Sequence, residues 1–379
     1  NNKNLPDSAI AKFKVLLTPS MSSNFGQKMK ISTNLDIEVI QVMQDVMQNN
    51  FGNPSSTHRY GRKAKNTLEN CRREIANYFG AKTSEIIFTS GGSEADNMAI
   101  KCAINDLGVK RIITSEIEHK AVISTALKMA AQNGIKLEYV RTNSFGDIDL
   151  EHLESLLNSS KEKTLVSLMH ANNEIGTLLP VKKVGDLCKE YNALFHSDTV
   201  QTVGHYKINF EELGLDFATC AAHKIHGPKG TGFIYVNKKH GITSMLIGGG
   251  QERGLRAGTE NLIGISGLSK ALELCYLNLE KDQKHIQELK DYMRNGLIKA
   301  FDNKLKFNGN LDNSLYTVLS VSFPNNQTNS MILFKLAGVL DVCILDRIEI
   351  APPFFTDSNA QLTACIEPLA SMIASNLSR

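Results

Sequence analysis

Between about residues 60 and 240, short apolar runs alternate with stretches in which apolar residues recur at helical spacing. Glu85-Ile-Ile-Phe-Thr-Ser90 reads as a strand that stops at Gly91-Gly92-Ser93 and gives way to a helix through Ile104. Arg111-Ile-Ile-Thr-Ser115 is a second strand, with a helix from about His119 to Gln132 behind it. Lys136-Leu-Glu-Tyr-Val140 is a third, and Asp147-Ile-Asp-Leu150 leads into a helix ending near Asn158. Thr164-Leu-Val-Ser-Leu-Met169 and Leu194-Phe-His-Ser-Asp198 are a fourth and a fifth, separated by a helix over about Val181–Tyr191. Strands alternating with amphipathic helices predict a mainly parallel sheet with helices on both faces. Such sheets bind ligands at the carboxyl ends of their strands, so the polar residues that close each strand are the candidates for chemistry.

Past Gly248-Gly249-Gly250 the pattern changes. A charge-rich helical stretch runs from about Leu262 to Phe301, and Tyr316-Thr-Val-Leu-Ser-Val-Ser322 reads as a strand of a smaller α+β domain. The expected division is a large domain over 36–255 and a small one over 256–379 with 1–35. A length of 379 residues agrees with two domains. With 42 Lys and Arg against 39 Asp and Glu, the net charge of +3 gives no support to nucleic-acid or polybasic membrane binding. No apolar run approaches the roughly 20 residues of a membrane span. The opening Asn1-Asn2-Lys3-Asn4-Leu5-Pro6 has no signal-peptide core. Seven dispersed cysteines without a CxxC pair argue for reduced thiols in a cytoplasm-like compartment and against a metal site.

Four features carry chemistry. Ser90-Gly91-Gly92-Ser93-Glu94 closes a strand and opens a helix, where free amides and the Ser93 hydroxyl can hold a phosphate; the same residues also suit an ordinary turn. Asp198, ending an interior strand, either caps the next turn or pairs with a protonated ring nitrogen. His119, at a helix start, is a flat ring or a structural residue. Ala222-His223-Lys224-Ile225-His226-Gly227-Pro228-Lys229-Gly230 is a basic turn whose Lys224 can form an imine with a carbonyl compound once its amine is free. Each feature alone is ambiguous. Taken in chain order, they are an anchor, a stacking partner, a pyridinium partner and a carbonyl-binding lysine, the parts needed to hold pyridoxal phosphate.

The residues that carry this order resemble the cysteine desulfurases of the NifS/IscS type, in the class V aminotransferase group of fold-type I pyridoxal-phosphate enzymes. The resemblance spans roughly Asp36 to Leu336. It rests on Phe51-Gly-Asn-Pro-Ser-Ser, Phe88-Thr-Ser-Gly-Gly-Ser-Glu-Ala-Asp-Asn97, Glu118-His-Lys-Ala-Val122 and His170-Ala-Asn-Asn-Glu-Ile-Gly176. His196-Ser-Asp-Thr-Val-Gln201, the Lys224 turn and Gly248-Gly-Gly-Gln-Glu-Arg-Gly-Leu-Arg-Ala-Gly-Thr259 continue it. What it implies is a seven-stranded, mainly parallel sheet and a cytoplasmic homodimer. The implied activity converts L-cysteine to L-alanine and passes sulfur, as an enzyme persulfide, to an acceptor such as an iron–sulfur scaffold protein.

The resemblance also implies roles. Lys224 holds the cofactor covalently and moves a proton, His119 stacks on the ring, and Asp198 pairs with the ring nitrogen. Asn173 and Gln201 address the ring hydroxyl and substrate side. Gly92, Ser93 and His223 bind the phosphate, and Thr259 reaches the phosphate in a neighbouring subunit. Four departures stand out. The family's opening substrate-site strand is missing, and Ala221 replaces a phosphate-binding serine. The Ser-Ser-Gly-Ser-Ala-Cys loop and the substrate-gripping arginine segment are also absent. Thr363-Ala-Cys-Ile-Glu-Pro-Leu369 resembles the group II thiol segment, which makes Cys365 the first candidate for the persulfide and Cys343 the second. The same parts would also serve a lyase that releases pyruvate, or a homologue without turnover.

Overall fold

A strand buried on both faces needs apolar residues at every position, with successive side chains feeding opposite layers. In a computed structural model of the protein, which describes residues 11–16, 34–300 and 305–323, five strands of the main sheet are buried at every position and feed apolar side chains to both layers. They are β2 (Ile86–Thr89), β3 (Arg111–Thr114), β5 (Thr164–Ser167), β6 (Leu194–Asp198) and β8 (Gly232–Val236). Ile112, Leu165, Leu194 and Ile234 enter one core, while their neighbours Ile113, Val166, Phe195 and Phe233 enter the other. Helices α3 (Gly92–Asn105) and α4 (Lys120–Asn133) cover the first layer through Met98, Ala99, Val122 and Ala126. The second is covered by α2 (Arg59–Tyr78), α5 (Leu150–Asn158), α6 (Val181–Glu190) and the start of α7 (Leu262–Ala300), with Leu68, Ile75, Val184 and Leu268 inward. A further helix, α1 (Ile37–Asn49), opens the larger unit and is capped by the Asp36 carboxylate, which accepts from Glu38 N at 2.8 Å.

With β4 (Lys136–Tyr139) and β7 (Phe217–Ala221), the strands form the order β2-β8-β7-β6-β5-β3-β4. The pairings of β3 with β4 and β5, of β5 with β6, and of β6 with β7 are parallel. Only β8 runs the other way, antiparallel to both β2 and β7. The expected seven-stranded, mainly parallel sheet is therefore present. The topology brings the ends of β2, β3, β5, β6 and β7 to one edge, where β8 begins: Gly232 pairs with both Thr89 and Ala221. A Cβ at Gly232 would meet the Cys220 carbonyl oxygen at 2.2 Å and Gly91 Cα at 2.9 Å, so glycine here lets the turn after β2 lie against the sheet.

A second, three-stranded antiparallel sheet has the order β1-β10-β9, made of Ala11–Leu16, Val318–Phe323 and Lys306–Asn308. It belongs to a smaller compact unit comprising 1–32, 173–177 and 280–379; the larger unit holds 33–172 and 178–279. Residues 256–279, expected in the small domain, thus group with the large one, because the first turns of α7 bury Ile265, Leu268 and Leu272 in the larger unit's core. In the smaller unit, buried Lys290 donates to Ser314 Oγ at 2.6 Å and to the Leu315 carbonyl at 3.0 Å.

Candidate active site

Helix α3 starts at Gly91, whose φ of 144° is open only to glycine, and no side chain caps its first amides. An uncapped helix start offers donors to an anion. Ser93 is exposed at this end, and a Cβ on Gly92 would come to 3.0 Å from the Val200 side chain. The turn is held by Glu94, whose carboxylate accepts from Ser90 N at 2.8 Å and from Arg256 Nε and Nη2 at 2.8 and 3.2 Å. Burial raises the Glu94 carboxyl, but the hydrogen bonds from Arg256 and Ser90 outweigh it and leave the group below its ordinary value.

At the end of β6, Asp198 is buried and accepts from Val200 N at 2.9 Å and from Thr219 Oγ1 at 3.4 Å. Burial, reinforced by neighbouring Asp96, pushes its carboxyl up to about 7 against the pull of the Val200 amide, His196 and His119. One ligand atom from each of Asp96, His119 and Asp198 lies within 4.8 Å of those of the other two. His119 is exposed at the start of α4, where its Nδ1 accepts from Ala121 N at 3.2 Å. The half-buried Lys224 ends a 3-10 turn after β7, and Gln201 is half-buried in the turn after Asp198. Burial, then Lys224 and Lys229, lowers the His223 imidazole below its ordinary value.

Asp198, His119, Lys224, His223, Gln201, Gly92 and Ser93 therefore all lie at a strand end, in turns or at helix starts of the larger unit, beside the strand edge described above. An uncapped helix start, a buried carboxyl held near neutrality, a flat imidazole and a lysine fit a phosphorylated, cationic heterocycle bearing a carbonyl group. Ala221 is fully buried at the end of β7, close to Gly92, and supplies no hydroxyl. Thr259 is exposed. Asn173 belongs to the smaller unit, where its amide donates to the Glu174 carboxylate at 2.5 Å. Cys365 and Cys343 lie outside the described residues.

Three partners of the site went unsingled in the sequence. Asp96 interrupts the apolar face of α3 between Ala95 and Met98, which was the available signal. His196 and Glu118 stood inside quoted motifs without a role. Glu118 Oε1 accepts from Met169 N at 2.8 Å and from Ser115 Oγ at 3.1 Å, and burial pushes its carboxyl up to about 8. Among the described cysteines, burial raises the thiols of Cys71, Cys102, Cys188 and Cys220, and all five are unbridged.

The buried acids set a pH dependence. Asp96, Asp198 and Glu118 have folded values of about 7, about 7 and about 8, above their ordinary carboxyl values. Below those values the folded chain therefore holds more protons than the unfolded one, and stability falls as pH rises. Burial holds His170, His196 and His205 down at about 4, which has the opposite effect, but by about pH 6.5 the unfolded imidazoles are already half deprotonated and this opposing gain fades over the next unit, while the three acids still hold the larger share of protons. Lys290, lowered to about 8, enters only above that pH. From pH 6.5 to 8 the ligand-free protein should lose stability, at up to about 1.4 kcal/mol per pH unit for each acid titrating. Urea melts at the two ends of the window would show it, and a protein more stable at the alkaline end would contradict it.

The fold is that of a fold-type I pyridoxal-phosphate transferase. The sequence profile of the family described as "Aminotransferase class-V" matches residues 29–339. The chain belongs to the class-V aminotransferase family. It is 41% identical over 311 residues to cysteine desulfurase IscS of Dictyoglomus turgidum, covering 81% of this chain and 78% of that one. The enzyme of the same name from Methanosarcina thermophila is 39% identical, over 78% of this chain and 72% of its own. A solved structure described as a NifS-like protein superposes with a TM-score of 0.79 at 34% identity, over 91% of this chain and 97% of that one. Among the described residues, no helix is long and apolar enough to cross a membrane.

Proposed function

We propose that the protein is a pyridoxal-phosphate-dependent cysteine desulfurase, taking L-cysteine to L-alanine and delivering the sulfur through an enzyme persulfide to an acceptor protein of the iron–sulfur scaffold kind. The observation that carries this is the grouping of Lys224, His119, Asp198 and the uncapped α3 start in one unit, around a sheet edge where Asp198 is held near neutrality. When bound, the cofactor supplies an electron sink for the bonds around the substrate α-carbon. Lys224 would hold the cofactor through Nζ and carry the α-proton, His119 would lie against its ring, and Asp198 would stand as the carboxylate facing the ring nitrogen. Gly92, Ser93 and His223 would take the phosphate, with Gln201 toward the ring hydroxyl and substrate. Thr259, in the Gly-rich loop, serves the phosphate of a second copy, so the working form is a homodimer, and reduced cysteines suit a cytoplasmic setting.

The nucleophile must be a thiolate free to meet both substrate and acceptor. The raised thiols of Cys71, Cys102, Cys188 and Cys220 are unsuited to this, and the resemblance of Thr363–Leu369 to the group II thiol segment puts Cys365 first for the role. The test is amino-acid and keto-acid analysis after incubating holoprotein with cysteine and a thiol reductant, beside a Cys365→Ser variant. Alanine plus sulfide from the parent, with loss of both in the variant, is expected. Pyruvate as the carbon product would overturn the desulfurase assignment, and an unaffected variant would clear Cys365.

A further inference from the structure

Two buried polar atoms beside Asp198 have no hydrogen-bond partner: Asp96 Oδ1 and His196 Nε2. They face one another at 3.5 Å, with the Asp96 side chain 1% and the His196 side chain 0% exposed. Leaving both unsatisfied is costly, and a single proton on the line between them satisfies both. On its other side the His196 ring meets Ser167 Oγ, with Nδ1 at 2.8 Å. Burial keeps the imidazole neutral, and two neutral-ring arrangements place a proton on that line. In one, Nε2–H points at an Asp96 carboxylate and Ser167 donates to Nδ1. In the other, Asp96 is a carboxylic acid donating to Nε2, and Nδ1–H donates to Ser167.

The surroundings decide between them. The titratable groups that face Asp96 are His196 and Asp198 from β6, Glu118 and His119 from the segment after β3, with the Thr219 hydroxyl from β7. Two of these are carboxyls, and both are buried. An anion at Asp96 would stand in a low-dielectric pocket against a second carboxylate within 4.8 Å. A site that meets one ring cation needs one facing anion, and Asp198 occupies that place.

Resting on the cofactor assignment above, we infer that Asp96 is a charge-setting, positioning residue. It is a neutral acid whose proton is donated to His196 Nε2, so that Asp198 alone meets the cofactor ring as an anion. His196 transmits the arrangement to β5 through Ser167, and the imidazole is held as the Nδ1–H tautomer.

The tautomer is read directly on unsubstituted protein by 15N NMR of labelled histidine, the His196 signals being assigned by their loss in a His196→Gln variant. A protonated Nδ1 with a bare, accepting Nε2 is expected; a protonated Nε2 would overturn the inference. The holoenzyme supplies a second readout, the pH midpoint of the bound cofactor's visible absorption. An Asp96→Asn amide also donates to Nε2 and leaves the charge unchanged, so this midpoint should move by less than about 0.3 pH units. Asp198→Asn, which removes the anion, should lower it by about one unit or more. A drop of that size in Asp96→Asn would mean that Asp96 is itself an anion, against the inference. Failure of the unsubstituted protein to take up pyridoxal phosphate would refute the cofactor assignment instead, and the NMR result would still report the state of Asp96.

Discussion

Replacing Lys224 by alanine should abolish alanine production from cysteine, by at least about three orders of magnitude, while leaving the fold intact. The residue is half-buried at the end of a 3-10 turn, after a strand whose five positions are all buried. Its main chain is set by β7 and by hydrogen bonds that return to Ala222, from Ile225 N at 3.0 Å and Gly227 N at 3.0 Å. The side chain is therefore not needed to form the turn, and melting behaviour should change little. What disappears is an amine able to bond covalently to a carbonyl carbon and to carry the α-proton. Lys224→Arg should be equally inactive, because a guanidinium stays protonated and is a poor nucleophile. The check has two parts. Borohydride reduction of the parent holoprotein should fix the cofactor to the peptide containing Lys224, and neither variant should be labelled there. Parent-like turnover in Lys224→Ala would remove this lysine from the mechanism.

The strands that were legible in the sequence are those whose apolar runs are dense in isoleucine, leucine, valine and phenylalanine, such as Arg111-Ile-Ile-Thr and Leu194-Phe-His-Ser-Asp198. Their ends could be read because a polar residue closes each one, and these proved to lie along one edge of the sheet. β7 was harder. Phe217-Ala-Thr-Cys-Ala221 is buried throughout, yet its small residues carry neither alternation nor a β-branched run. No strand is read there from the sequence, and the structure pairs it antiparallel with β8. The Asp96–His196 contact was not legible at all. Nothing local links a helix residue to a strand residue so far along the chain, and the pairing exists only because α3 packs across β6. The site's loops could be read for chemistry, whereas its charge balance depended on tertiary packing.

That dependence is strongest at Arg72 and Glu252, where the second large effect is expected. Their side chains are each 2% exposed and joined by two hydrogen bonds, 2.7 Å from Nη1 to Oε2 and 2.8 Å from Nη2 to Oε1. Arg72 Nη1 also donates to the Ile86 carbonyl at 2.8 Å, Glu252 Oε2 accepts from Phe88 N at 2.8 Å, and the guanidinium lies 4.6 Å from the Phe88 ring centroid. The pair thus pins residues 251–254 to β2, immediately before the Ser90–Ser93 turn. It also holds an unfavourable backbone, since Glu252 and Arg253 have φ of 45° and 59° without being glycine. Arg72→Met should cost about 3–5 kcal/mol in urea unfolding, because it leaves a buried carboxylate without its counter-charge. Lys182→Ala removes an ion pair whose side chains are 57% and 60% exposed, and should cost less than about 1 kcal/mol. Removing both buried charges, in Arg72→Met with Glu252→Leu, should recover part of the loss, because the uncompensated anion is gone while the Phe88 amide and the loop's strained backbone remain unsupported. If the single variant cost no more than the surface control, the pair would be dispensable and the loop would have to be held by its other contacts, Arg253 to the Thr83 carbonyl and Glu69, and Arg256 to Glu94.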